Sequence, residues 1–385
     1  MFKCFTEIEF NQKGTGRNLG FTFNFVNEFE ATDTWVDLTN QCKITFPKNV
    51  YVKDSNGQLI SLGGTNPKVL VDNLFHRGDA LTVSYGYYRY DKRGNETLEV
   101  ATVFQGFISK VESKKPIVLD CEDNMWLLKQ IPCKAKTLTK NDSIENYLRE
   151  QLQGTGFTVN ALTSTNVGQL IIGNETVAQL LARLRKDFHL EAYFRGSELR
   201  IGSQVYIEQD NIGKTTWEFV FQNNIISDEL TFQRKDDIKL SAVCNSINTK
   251  NLGTNKKGET KTKQELLSVL VYTDEKGDFK YIEKQKGVDF PKNEEGERRT
   301  LFFPNITSAK ELSQKGIDEL KKYYYTGFKG KFTTFAIPYV RQGDNIILRD
   351  RLMPDRDGKY KVRGVRYTGG INGHRQEIQL DYKLK

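Results

Sequence analysis

Alternation of apolar and polar residues dominates the first third of the chain. Phe21-Thr22-Phe23-Asn24-Phe25 alternates with the period of a strand that buries one face. Leu81-Thr82-Val83-Ser84-Tyr85 opens an aromatic string that reaches Tyr90 and turns at Asp91-Lys92-Arg93-Gly94-Asn95; Glu99-Val100-Ala101-Thr102-Val103-Phe104 resumes it, which predicts a hairpin. Asp120-Cys121-Glu122-Asp123-Asn124-Met125-Trp126-Leu127-Leu128 reads as a strand end running into one helical turn.

The period changes over 135–203. Asp142-Ser143-Ile144-Glu145 has capping-box spacing with Asp142 as the cap, and Ile144, Tyr147, Leu148 and Leu152 follow on one helix face that Gly154 ends. A second helix is predicted from about Glu175 to Phe188, then a hairpin over 190–201 turning at Arg195-Gly196-Ser197. Strands return from Thr216. The Lys/Gly/Asn-rich stretch 250–262 reads as an exposed loop and 284–300 as another polar stretch. Ser308-Ala309-Lys310-Glu311 opens a helix to about Tyr325 with Leu312, Ile317 and Leu320 inward. Three glycine-punctuated strands close the chain, after Gly343-Asp344, after Asp357-Gly358 and after Gly373.

These elements predict an α+β, mainly β protein. A first β-module spans 1–134 and is completed by 204–235, an α/β insert spans 135–203, and a second β-module spans 236–385 with a helix near 308–325. A length of 385 residues suits two or three cores rather than one. Apolar content is only 37%, but 24 Phe and 17 Tyr supply large buried area to half-buried strands.

Charge changes the picture little. The formal net charge of +8 favours polyanionic partners. Lys and Arg are nevertheless interleaved with acids, as in Lys256-Lys257-Gly258-Glu259, so a solvated basic surface is expected and no specific nucleic-acid partner. No apolar run reaches the roughly 20 residues of a membrane helix and the N-terminus has no signal-like core, so no membrane partner and a cytoplasmic product are expected. Cys4, Cys42, Cys121, Cys133 and Cys244 have no metal or redox spacing and suit a reducing compartment, with Cys121 a small core residue.

No catalytic, cofactor or metal site is predicted. Gly213-Lys214-Thr215 lacks the upstream glycine of a phosphate loop, and Gly14-Thr15-Gly16-Arg17-Asn18-Leu19-Gly20 lacks the strand and helix of a dinucleotide site. His76, His189 and His374 stand apart and read as structural; His189, at a helix end, suits a cation there. The remaining chemistry is carboxylate. Asp120 and Glu122 share a strand face beside Asp123, with Trp126 as a candidate sugar platform, which gives an alternative reading as a carbohydrate-binding or carbohydrate-cleaving β-protein.

Phe104-Gln105-Gly106-Phe107-Ile108, then Leu119-Asp120-Cys121-Glu122-Asp123 and Leu127-Leu128-Lys129, resembles the baseplate hub family of contractile-tailed phages, which includes the hub part of type VI secretion spikes. Gln342-Gly343-Asp344, Gly358-Lys359-Tyr360 and Gly373-His374-Arg375-Gln376-Glu377-Ile378 are similar to that family's closing strands. The resemblance implies two tube-like antiparallel β-barrel domains per chain in a homotrimer that matches a six-fold tail tube to a three-fold central spike. It implies a non-enzymatic adaptor in a virion tail baseplate, assembled in the bacterial host cytoplasm. A separate spike protein, a tail tube or tube-initiator protein and other baseplate proteins would be its partners, with no cofactor.

Overall fold

The computed structural model describes residues 2–12, 20–47, 50–53, 59–62, 74–112, 116–139, 141–163, 165, 167, 169–203, 215–254, 260–292, 296–304 and 306–384. The phosphate-loop-like residues 211–214 and the glycine-rich residues 14–19 lie outside them.

The strands of the first part are β1 (Phe2–Asn11), β2 (Gly20–Phe23), β3 (Glu28–Thr34), β4 (Gln41–Thr45), β5 (Val50–Lys53), β6 (Leu59–Leu62), β7 (Ala80–Tyr90), β8 (Glu96–Glu112) and β9 (Val118–Glu122). Helix α1 (Met125–Leu128) is the single turn expected after β9. The insert holds β10 (Lys136–Leu138), α2 (Ile144–Gln151), β11 (Thr158–Ala161), β12 (Leu170–Ile172), α3 (Val177–Phe188), β13 (Leu190–Arg195) and β14 (Glu198–Ser203). Then come β15 (Thr216–Val220), β16 (Ile225–Gln233), β17 (Leu240–Thr254), β18 (Thr260–Thr273), β19 (Phe279–Glu283), β20 (Glu297–Phe302), α4 (Ala309–Tyr323), β21 (Gly327–Phe335), β22 (Asn345–Arg349), β23 (Gly358–Gly370) and β24 (Arg375–Lys383).

Thirteen of these strands form one sheet. Its path runs β16-β21-β24-β23-β3-β4-β9-β8-β7-β1-β2, with β22 beside β23 and β15 beside β22. The two ends of the chain meet at β3 and β23, an antiparallel seam with Thr34 opposite Gly364 and Glu28 opposite Gly370. One apolar core serves both sides of this seam, including Ile8, Phe29, Val83, Tyr85, Leu348, Tyr367 and Ile378. The β7–β8 hairpin packs tightly because glycines sit where backbones approach: a Cβ on Gly86 would lie 1.9 Å from the Glu99 carbonyl oxygen.

Strands β15 and β16, expected to complete the first module, have partners from the closing part of the chain: β15 pairs in parallel with β22, and β16 pairs antiparallel with β21. Among the described residues the path of the large sheet does not return on itself, so no closed barrel is found within the chain.

The insert has its own core, built from Ile144, Tyr147, Leu148, Leu180, Leu181, Leu184, Leu199 and Ile201. Its first helix is capped differently from expectation: the Ser143 hydroxyl accepts from Asn146 N–H at 3.1 Å, whereas Asp142 accepts from the backbone N–H and the hydroxyl of Thr139, each at 2.8 Å. Helix α3 carries a full capping box, with Thr176 Oγ1 accepting from Gln179 N–H and Gln179 Oε1 from Thr176 N–H. Thr176→Ala is expected to cost about 1 kcal/mol in chemical denaturation, with Thr176→Ser near neutral.

A third core lies between α4 and a four-stranded sheet ordered β19-β18-β17-β20, where Leu312 and Leu320 meet Ala242, Cys244, Val269 and Val271. The supposed loop at 250–262 is strand for much of its length: β17 and β18 stay paired out to Asn251 opposite Thr262 and Thr254 opposite Thr260, and 255–259 lie outside the described residues. Among the described residues no helix is long and apolar enough to cross a membrane.

Candidate functional site

Strand β9 buries Leu119 and Cys121 on one face, which turns Asp120 and Glu122 to the other, as their spacing predicts. Their surroundings are those of a sheet surface. Asp120 lies opposite Lys43 on one neighbouring strand and Lys110 on the other. Glu122 is ion-paired with Lys129 at 2.5 Å, and the Trp126 ring is stacked on Phe107 with centroids 5.4 Å apart, so one of its faces is taken. None of the three lines the cleft described next. Changing Asp120 and Glu122 together to their amides is expected to move stability by no more than about 0.5 kcal/mol each, as for exposed pairs. Denaturation of the double variant measures this.

Asp123 behaves otherwise. It points inward at the end of β9, where Oδ2 accepts from Asn40 N–H at 3.1 Å and Oδ1 from Met125 N–H at 3.0 Å. Burial raises its pKa to about 7, against the lowering effect of those two N–H donors. Its carboxylate clamps the start of β4 to the start of α1.

Next to it is a cleft of about 260 Å³ formed by stretches far apart in sequence, with Asp33, Asn40 and Asp123 from the first part, Arg195 from the insert, and Arg341 and Gln342 from the closing part. Asp33 Oδ2 accepts from Gln342 N–H at 3.2 Å and from Tyr367 Oη at 3.4 Å; burial raises its pKa, and the charges of Arg341 and Arg195 oppose the rise. Asp344, behind it, accepts from Trp217 Nε1 at 3.2 Å and from Arg341 N–H at 3.0 Å. The cleft lining contains no histidine or cysteine. Among the described residues no group of three or more His, Cys, Asp or Glu is placed to hold a metal. The polar groups of this region tie the three parts of the chain to one another.

Two of the three histidines have structural surroundings as well. His374 is fully buried; its Nε2 lies 2.8 Å from Phe5 O and 3.2 Å from Thr6 Oγ1, and its carbonyl accepts from Tyr87 Oη at 3.0 Å. It pins the final hairpin to β1 and β7. His189 ends α3 in the left-handed region at φ 51°, and burial lowers its pKa.

What the surface offers is strand edges. Strand β8 pairs with β9 only from Phe107 onward, so among the described residues its edge over 96–106 has no strand on that side, and Leu98 and Val100 are exposed there. Strand β16, at the other end of the path, has one paired edge. Unpaired edges of this length are sites where another chain adds.

No family model matches this sequence, and no curated protein matches it. Solved structures do. The 43 kDa tail protein of prophage MuSo2 from Shewanella oneidensis is similar over 99% of this chain and 98% of its own, with a TM-score of 0.54 and 13% identity. A tail protein from Neisseria meningitidis MC58 is similar over 99% of this chain and 97% of its own, with a TM-score of 0.51 and 10% identity. The chain therefore has the fold of phage tail proteins, the class to which the sequence resemblance pointed.

Proposed function

We propose that this chain is the structural hub of a phage or prophage tail baseplate, a homotrimer that joins a six-fold tail tube to a three-fold central spike. The observation that carries the reading is the end-to-end likeness to two tail proteins, one of them from a prophage, which spans both β-modules and the insert rather than one domain. In this reading each chain contributes two tube-like modules, so that three chains imitate six. The modules divide near 134 and 203, and β15 and β16 go with the second module because they pair with β22 and β21. The open edges of β2, β8 and β16 close against neighbouring modules, which completes the barrels in the ring rather than within one chain.

The partners are a separate spike protein, a tail tube or tube-initiator protein and other baseplate proteins, in a virion tail assembled in the host cytoplasm. The role needs no cofactor, no catalytic residue and no specific nucleic acid. Crosslinking the purified protein with an amine-reactive reagent at rising concentration tests the stoichiometry. The expected products stop at three chains; a ladder that passes three without a step argues against the reading.

A further inference from the structure

The loop between β22 and β23 carries apolar side chains outward: Leu352 is 78% exposed and Met353 43%. Single exposed apolar residues are ordinary on a protein surface. These two are adjacent, and the loop is built to hold them in place. Asp350 Oδ1 accepts from the N–H groups of Leu352 and Met353 at 2.9 and 3.3 Å, and from Gln222 Nε2 at 2.7 Å. Gln222 stands in the turn between β15 and β16, and its Oε1 accepts from Arg351 N–H at 3.1 Å. Asp357 Oδ1 accepts from Asp350 N–H at 2.8 Å. A single 3-10 turn, Pro354–Arg356, completes the loop, with Arg356 over the Phe232 ring. An apolar tip fixed in this way has little conformational freedom left to lose on binding, which is what makes an anchor residue effective.

A receptor of matching chemistry lies on the insert. Between α2 and β11 is an open depression of about 640 Å³ lined by the apolar side chains of Leu152, Phe157 and Val159. Gly154 and Gly156 also line it, and among the described residues a Cβ on either would meet nothing within 4 Å beyond its chain neighbours, so that side is open. Clefts of this volume enclose whole small ligands, so two side chains fit. The margins are complementary in charge: the loop exposes Arg351 and Asp355, and the depression has Arg149 with Glu150 next in sequence. The ion pairs those two make with Glu145 and Lys136 lie at the surface and cost little to exchange. A projecting apolar tip and a receptor elsewhere on the same chain define a head-to-tail contact, which generates a ring when the rotation between copies closes. We propose that the Leu352–Met353 tip of one copy docks in the depression at Leu152, Phe157 and Val159 of the next copy, which makes the insert a receptor between subunits. The contact rests on the trimer proposed above and gives it a direction, since each chain offers its tip to one neighbour and its insert to the other.

The test mixes two full-length chains, one with Leu352→Cys and the other with Gln153→Cys, both with Cys4→Ser to remove the exposed native thiol. Leu352 and Gln153 are exposed, so the fold tolerates both changes. A short bis-maleimide can link positions 352 and 153 only between copies; mass spectrometry maps the link, and light scattering on the separated species gives their mass. In parallel, Leu352→Glu is expected to weaken self-association roughly tenfold or more, whereas Val288→Glu, the same change at another exposed apolar residue, leaves it unaltered. The expected result is a 352–153 link within a three-chain species. The same link in a species of another size supports the contact and contradicts the trimer. A three-chain species that lacks the link and is unmoved by Leu352→Glu overturns the contact, assigns the loop to a different protein and leaves the trimer standing. Chains that stay single at every concentration, with no link, overturn the contact as well.

Discussion

Replacing Phe29 by alanine lowers stability by about 3–5 kcal/mol, the usual cost of emptying a fully buried aromatic site. Phe29 has no exposed surface and stands on β3 at the seam of the large sheet, with its ring centroid 5.9 Å from Tyr85 and 6.3 Å from His374. Strand β3 is the strand of the first part that pairs with β23, so the cavity opens where the two ends of the chain are joined. The expected signature is a urea midpoint shifted to lower concentration, with faster hydrogen exchange on both β7 and β24. Phe29→Leu, which keeps most of the volume, costs less than about 1.5 kcal/mol. Loosening confined to one side of β3 would mean that the two modules are stabilised separately and that the seam is incidental.

The second large effect is a stability that falls as pH rises. Asp123 has a pKa of about 7 in the folded chain because burial disfavours its charged form. In the unfolded chain a carboxyl titrates near 4. The folded state therefore binds the proton more tightly, and the stabilisation is fully present below the unfolded value and is lost as pH climbs through 7. Three pK units correspond to about 4 kcal/mol. Glu191, raised to about 7 by burial against the opposing charge of Arg185, acts in the same direction. His374 and His189 act oppositely: burial lowers both, so their contribution is lost as pH falls below the ordinary imidazole range. The carboxyl shifts dominate between pH 5 and 8, so the urea midpoint declines across that range. Asp123→Asn removes much of the slope, and it costs about 1 kcal/mol at low pH because an amide cannot accept from both Asn40 and Met125. An unchanged slope in this variant would show that Asp123 is not the group responsible.

Local signals in the sequence locate most elements. The helices at 144–151, 177–188 and 309–323, the hairpin of β7 and β8, and the three closing strands follow from period, caps and glycine turns. Pairing over long distances is not written locally. Nothing in residues 216–233 indicates that β15 will lie parallel to β22 and β16 beside β21, because period shows which face is buried and not which strand is next. The polar composition of 250–262 reads as loop because Lys, Gly, Asn and Thr are also the residues of turns, although β17 and β18 pair at Asn251 opposite Thr262 and Thr254 opposite Thr260. The spacing of Asp120 and Glu122 correctly places them on one face, but the lysines opposite Asp120 come from other strands. For the same reason the cleft at Asp33 and Gln342 emerges only when the sheet is assembled.

The central claim is that three copies of this chain make a ring of six similar modules. Light scattering across a range of concentrations, with negative-stain imaging of the largest species, tests it most directly. The account predicts a mass of three chains and an open-centred ring with three-fold symmetry and six lobes. A closed particle of any other subunit number, or a monomer at every concentration with and without a spike protein, would contradict it.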